Sequence, residues 1–231
     1  MAYHHSPRIV TDGLIFAVDP ANNKSHVSGS TTATDVISSA NGSFSGNTQF
    51  LTQKQGVFDF DGTDDYIDFA TYQVLDSSAA FTIAAWVHLD AFSPVYPGIV
   101  RLKTDQATGF IMGFSTQSGY EFFAGSNANF VTIYSDIDTS EVLTKWVYAT
   151  LTYNGSGRTS NSNYKLYLNG VSKTVSNAAG FSVCDNNTRI GMGNTTSTYW
   201  NGQISAVHVY NKELSATEIL QNYNTLKGRF V

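Results

Sequence analysis

F-T-I-A-A-W-V-H-L, residues Phe81 to Leu89, is the stretch that decides the fold. Phe81, Ile83, Ala85, Val87 and Leu89 form one wholly apolar set, and Thr82, Ala84, Trp86 and His88 form the other. Period-two alternation over a run this long is a strand with at least one buried face. Trp86 on the second face means that this face is not plain surface either. A strand of this kind belongs in the middle of a sheet in a two-layer sandwich.

Just upstream, Val57–Phe60 and Tyr66–Phe69 read as strands around Asp61-Gly62, a strong turn dipeptide. Towards the N-terminus, Gly13 to Asp19 is a strand stopped by Pro20. Asn22 to Gly56 is long and irregular, with one short strand expected within Ser43–Leu51. Residues 1–12 are polar and read as an N-terminal arm, with the remaining residues, 13–231, as one domain.

Towards the C-terminus, short strands are expected at Ile99–Leu102, Gly109–Phe114, Tyr120–Ala124 and Phe130–Tyr134, each bounded by Gly, Asn or Ser. Lys145 to Tyr153 is a second two-faced strand. Asn169-Gly170 is the strongest hairpin signal, between Tyr164–Leu168 and Val171–Val175. Thr188–Gly191 and Gln203–Tyr210 complete the strands. One helix follows: Ser215 and Glu218 have capping-box spacing, Leu214 and Ile219 the staple positions, and Gly228 is the expected end. The reading is all-β with one short C-terminal helix.

Composition agrees. Of 231 residues, 42% are hydrophobic and 13% aromatic, enough for a core and biased towards strands. Charged residues are only 13%, while Gly, Ser, Thr and Asn are abundant, which suits an extracellular or particle-bound β protein. A net charge of −5 carries no basic footprint, so nucleic acid is not an expected partner. The single cysteine, Cys184, cannot close an intramolecular disulfide. No apolar run reaches the roughly 20 residues that span a bilayer, so no membrane partner is expected. The N-terminus lacks the apolar region of a secretory signal, so folding in a cytoplasm is expected.

Four motifs in order carry a resemblance. F-D-G-T-D-D-Y-I at Phe60–Ile67 resembles the F-D-G-x-D-D-Y-V segment of laminin-G-like domains of the concanavalin A-like lectin/glucanase superfamily. Phe81–Val87 resembles that family's F-T-I-S-A-W-V. Trp146–Tyr153 followed by Leu166–Gly170 is similar to W-H-H-V-A-V-T-Y and L-Y-V-N-G. Gly202–Leu220 is similar to the closing G-x-I-D-E-V-R-I-Y-N-R-A-L-S-x-x-E-I. The resemblance spans about Gly13 to Phe230 and implies a two-sheet antiparallel jelly-roll sandwich. The opening M-A-Y-H-H-S-P-R-I-V-T-D-G-L and the ending I-L-Q-N-Y-N-T-L-K-G-R-F are similar to stand-alone laminin-G-like proteins of tailed, often marine, phages. That similarity implies a virion structural protein, in a capsid decoration or tail fibre, with other virion proteins and copies of itself as partners. A free carbohydrate-binding module is the alternative, and a polysaccharide-degrading enzyme a third.

Candidate sites follow from side-chain chemistry. A glycosidase needs two carboxyl groups facing one cleft. The glutamates are Glu121, Glu141, Glu213 and Glu218, and no two share the E-x-D-x-x-E spacing of the superfamily's glucanases, so a non-enzyme is expected. Asp59, Asp61, Asp64, Asp65 and Asp68 are the densest acidic cluster. Hard oxygens around a glycine turn suit calcium, with Asp61, Asp64 and Asp65 as its ligands. The competing reading is that these aspartates accept local backbone hydrogen bonds or form the polar side of strands. The resemblance implies a second calcium site between the first and last strands, but Ile204-Ser205-Ala206-Val207 stands where relatives have I-D-E-V, leaving Asp19 without an evident partner. For glycans, Trp86 with His88, and Trp146 with Tyr148, offer stacking faces if exposed; packing between the sheets is the other reading for both tryptophans. Tyr199-Trp200 follows a Gly/Asn/Thr/Ser run and is expected as an exposed contact for a glycan or a neighbouring subunit. Adjacent His4 and His5 point to opposite sides of an extended chain and make a poor metal site.

Overall fold

A computed structural model of the chain describes residues 8–70, 75, 79–92, 96–102, 110–116, 121–125, 133–157, 160–176, 187–193 and 198–231. The N-terminal strands are β1 (Leu14–Val18), β2 (Thr32–Thr34), β3 (Asn41–Ser45), β4 (Gln49–Leu51), β5 (Val57–Asp61) and β6 (Tyr66–Asp68). The middle of the chain forms β7 (Phe81–Leu89), β8 (Gly98–Leu102), β9 (Phe110–Ser115), β10 (Glu121–Gly125), β11 (Ile133–Asp136) and the short helix α1 (Thr139–Val142). Then come β12 (Trp146–Tyr153), β13 (Tyr164–Leu168), β14 (Val171–Lys173), β15 (Thr188–Ile190), β16 (Asn201–Tyr210) and helix α2 (Ala216–Phe230).

Two antiparallel sheets result. The first runs β14-β13-β12-β7-β16-β5-β4, and the second β11-β10-β9-β8-β15-β6-β3-β2. β7 lies between β12 and β16, the central place its alternation calls for. β16 pairs with β7 along one edge, while β5 and β1 share the other. The register breaks between Ser205 and His208, where Ala206 takes a positive φ of 47° in a bulge. The hairpin at Asn169-Gly170 has positive φ at both residues, as a tight type I′ turn requires.

The sheets enclose a core built from the inward parities: Phe58 and Phe60, then Ile83, Ala85, Val87 and Leu89, then Val147, Ala149 and Leu151, with Phe110, Met112 and Phe114 opposite. A second apolar layer lies on the outer face of the first sheet, where α2 covers Trp86, Tyr148, Ala84 and Tyr210. This corrects the expectation that Trp86 and Trp146 pack between the sheets. Trp86 is completely buried, but under the helix: Phe230 stacks on it at 4.5 Å and Tyr223 at 5.5 Å. Trp146 packs beside it, 4.7 Å from Phe230.

The helix begins at the expected capping box of Ser215 and Glu218 but does not end at Gly228. It continues to Phe230, because Phe230 and Arg229 make tertiary contacts that outweigh the helix-weakening tendency of one glycine. Residues 8–12, placed in the arm from sequence, lie against α2. The Val10 N–H donates to Asn222 Oδ1 at 2.7 Å, the Val10 carbonyl accepts from the Tyr210 hydroxyl at 3.0 Å, and Gln221 donates to the Arg8 carbonyl. His4, His5 and Cys184 lie outside the described residues.

Candidate functional site

The outer face of the second sheet carries a row of charged and aromatic side chains set by strand parity. Ile67 and Ile190 point into the core, so Tyr66, Asp68 and Arg189 point out. Register then places Asp68 opposite Arg189, and Arg189 opposite Arg101. Arg189 Nε and Nη2 donate to Asp68 Oδ2 at 3.1 and 2.9 Å. The same guanidinium lies 4.9 Å from the centre of the Tyr66 ring, a cation–π contact. Tyr199 stacks beside Tyr66, with centroids 6.1 Å apart and planes within 19°. Arg101 is buried beneath and donates to the Gly193 carbonyl at 3.2 Å. Burial and the neighbouring Arg189 lower its pKa to about 10, still charged at neutral pH. Burial also raises the Tyr199 phenol, so it remains a hydroxyl.

The acidic turn adjoins this patch. Asp61, Asp64 and Asp65 bring carboxylate oxygens within 4.8 Å of one another. Asp65 is buried and accepts from the backbone N–H groups of Asn47 and Asp61 at 2.5 and 2.9 Å. Burial raises its pKa despite those bonds, with Asp61 and Asp64 adding to the rise. Asp64 and Asp65 flank Gly46, where a Cβ would collide with both carboxylates. Asp65 immediately precedes Tyr66, so the turn runs directly into the tyrosine pair. Three converging carboxylates are a hard-oxygen donor set that fits calcium. Asp59 and Asp68 are not part of it: Asp59 accepts from Gln203, and Asp68 holds Arg189.

The four aromatic or imidazole side chains named from sequence are not brought together. Tyr199 belongs to the patch. Trp200 does not: it is fully buried in the core against Phe114, its indole N–H donating to the His88 carbonyl at 3.2 Å. The expectation of an exposed Tyr199-Trp200 contact is therefore corrected, since both residues are largely buried. Trp86 is covered by α2, and His88 lies on the first sheet's outer face with its Nδ1 2.8 Å from Asp90. Asp19 does have a partner: Arg229 donates to both its oxygens at 2.7 and 3.1 Å, and also reaches Ser205 Oγ and the Gly56 carbonyl. A guanidinium thus occupies the place between first and last strands where the family resemblance implied a second cation. Tyr66, Arg189 and Arg101 were missed from sequence because only the β6–β15–β8 register brings them together.

Three of the four glutamates are engaged structurally. Glu141 caps α1 and pairs with Lys173, Glu213 pairs with Lys165, and Glu218 caps α2 and pairs with Lys212. Glu121 is buried directly across from Asp136, with its pKa raised by burial and by that neighbour.

Comparison with known proteins identifies the fold. A laminin G-type family model, described as concanavalin A-like lectin/glucanases superfamily, matches residues 61–220. No curated protein matches in sequence. Among solved structures, domain 4 of AbnA, a GH43 extracellular arabinanase from Geobacillus stearothermophilus in complex with arabinotriose, superposes with a TM-score of 0.66 at 14% identity, covering 91% of this chain and 98% of that one. Trypanosoma rangeli sialidase gives 0.66 at 14% identity over 100% of this chain but 36% of its own. The receptor-binding domain of botulinum neurotoxin type G gives 0.60 at 15% identity, over 92% and 51%. At these identities the likeness is one of fold.

Proposed function

Because the chain belongs to the laminin G-like group of the concanavalin A-like lectin/glucanase superfamily, we propose that it is a non-catalytic, glycan-binding sandwich carried as a structural protein of a tailed-phage virion. The observation that carries the binding reading is the partly exposed Tyr66 ring, backed by the buried Tyr199 and held beside Arg189, Asp68 and the acidic turn. Its hydroxyl, guanidinium and carboxylate groups are fixed by sheet register, so they lose little freedom on meeting a sugar. The non-catalytic reading is supported by the engagement of Glu141, Glu213 and Glu218 in caps and lysine pairs. The virion setting rests on the resemblance of both chain ends to phage proteins. In that setting the chain assembles with copies of itself, and residues 1–7 serve as the tether.

Calcium is part of the proposal. Asp61, Asp64 and Asp65 would hold the ion, whose charge would relieve the mutual repulsion of the three carboxylates.

A glycan array probed with wild type, Tyr66→Ala and Arg189→Ala tests the binding reading. Wild type is expected to bind at least one glycan that both variants lose; a blank array, or variants that keep every wild-type glycan, contradicts it. Detection of the chain in banded virions and a closed oligomer by light scattering are expected of the virion setting. A chain found only free, as a monomer, would favour a free carbohydrate-binding module instead.

A further inference from the structure

The outer face of the first sheet, opposite the Tyr66–Arg189 patch, holds a second arrangement of side chains. Four neighbouring strands each contribute one residue to a single row: Asp59 on β5, Gln203 on β16, His88 on β7 and Trp146 on β12 are successive direct partners. Their sequence neighbours Phe58, Ile204, Val87 and Val147 all point into the core, so the row points outward. α2 covers the adjoining part of this face and reaches the row only at its end, where Phe230 meets Trp146.

The row is connected. Gln203 Nε2 donates to Asp59 Oδ1 at 2.6 Å and to Asp90 Oδ2 at 3.3 Å. Asp90 Oδ1 lies 2.8 Å from His88 Nδ1, and the imidazole is 5.6 Å from the Trp146 ring. Asp59, Gln203, His88 and Trp146 are each partly exposed, and Asp90 is exposed. These groups offer two carboxylates, an amide and an imidazole, fixed beside an indole with accessible surface.

We infer that this row is a second ligand site, for neutral, polyhydroxylated sugar rings. The carboxylates and the Gln203 amide oxygen accept from sugar hydroxyls, His88 offers its Nε2, and the indole supplies an apolar face for ring C–H groups. Asp59 and Asp90 repel uronates and sulfates, which sets the ligand's charge. Two sites on opposite sheets would let one copy bridge two glycan chains, with avidity in place of single-site affinity. The inference stands apart from the binding reading of the second sheet, since the two sites share no residue.

Tryptophan emission reads this site selectively. Of the three tryptophans, Trp86 and Trp200 are completely buried, and only Trp146 has accessible surface. Wild type, Arg189→Ala, Gln203→Ala, Asp90→Ala and Trp146→Phe would be titrated with neutral oligosaccharides of glucose, mannose, galactose, xylose and arabinose, and with oligogalacturonate as the anionic arm. The expected result is a saturable emission change with at least one neutral oligosaccharide. It should persist in Arg189→Ala, vanish in Trp146→Phe, and need roughly tenfold more sugar in Gln203→Ala and Asp90→Ala. No response to any neutral oligosaccharide at millimolar concentration overturns the inference. So does a response that Gln203→Ala and Asp90→Ala leave unchanged, or one given by oligogalacturonate alone. Loss of glycan binding through Arg189→Ala only, by contrast, speaks to the second-sheet site.

Discussion

Arg229 reaches from the last turn of α2 to Asp19, Ser205 and Gly56, joining the helix, the end of β1 and the bulge of β16. Its side chain is only 10% exposed and that of Asp19 22%. Removing one partner of such a pair leaves a poorly solvated charge, so Arg229→Ala is expected to cost about 2–4 kcal/mol, read from urea unfolding; a loss within error would show that the pair is not a structural tie. His208 sits beside this pair, with its pKa lowered to about 4 by burial, a rise from Asp19 and a further lowering from Arg229 acting within that. Between pH 4 and the usual 6.5 the unfolded chain binds this proton and the folded chain does not. Stability should therefore be complete above pH 6.5 and fall as pH drops towards 4, by about 3 kcal/mol for this group. Asp65 and Glu121, with raised pKa values, slope the other way in their own windows. The difference between wild type and His208→Leu isolates the histidine: the wild-type melting temperature should fall relative to the variant's as pH drops from 6.5 towards 4, and parallel curves would contradict the burial of a neutral imidazole.

Among the elements, α2 acts as a cover for one face of the first sheet. Phe230 stacks on Trp86 with planes within 17°, so Phe230→Ala should cost about 3–5 kcal/mol and shift tryptophan emission to the red. An unshifted spectrum would mean that Trp86 keeps its cover without Phe230. The strands were legible because alternation is local: β7, β12 and β16 occupy the positions their parity demands. The helix start was legible for the same reason, as its capping box is a local device. Its end was not, because Phe230 and Arg229 are fixed by partners far away in sequence. Trp200 was misplaced by the polar run before it, although it shares parity with Gly202 and the buried Ile204, a signal that was present. Tyr66 stood in the recognised acidic motif, but its partners Arg189 and Tyr199 depend on a long-range register that no local pattern encodes.

At the scale of the whole molecule, two sheets present two outer faces with different chemistry: guanidinium, tyrosine and an acidic turn on one, carboxylate, amide and indole on the other. If calcium fills the Asp61–Asp64–Asp65 turn, calcium should raise the melting temperature of chelator-treated protein, and Asp64→Asn should abolish the rise; no rise in wild type would remove the ion from the account. The central claim is that the sandwich binds a glycan without cleaving it. Its most direct test is calorimetric titration of an array-selected glycan into wild type and Arg189→Ala, with reducing ends counted in the same samples. The account predicts saturable heat for wild type, affinity weakened at least roughly tenfold in the variant, and no new reducing ends. Equal affinity in Arg189→Ala, or reducing ends that accumulate with time, would contradict it.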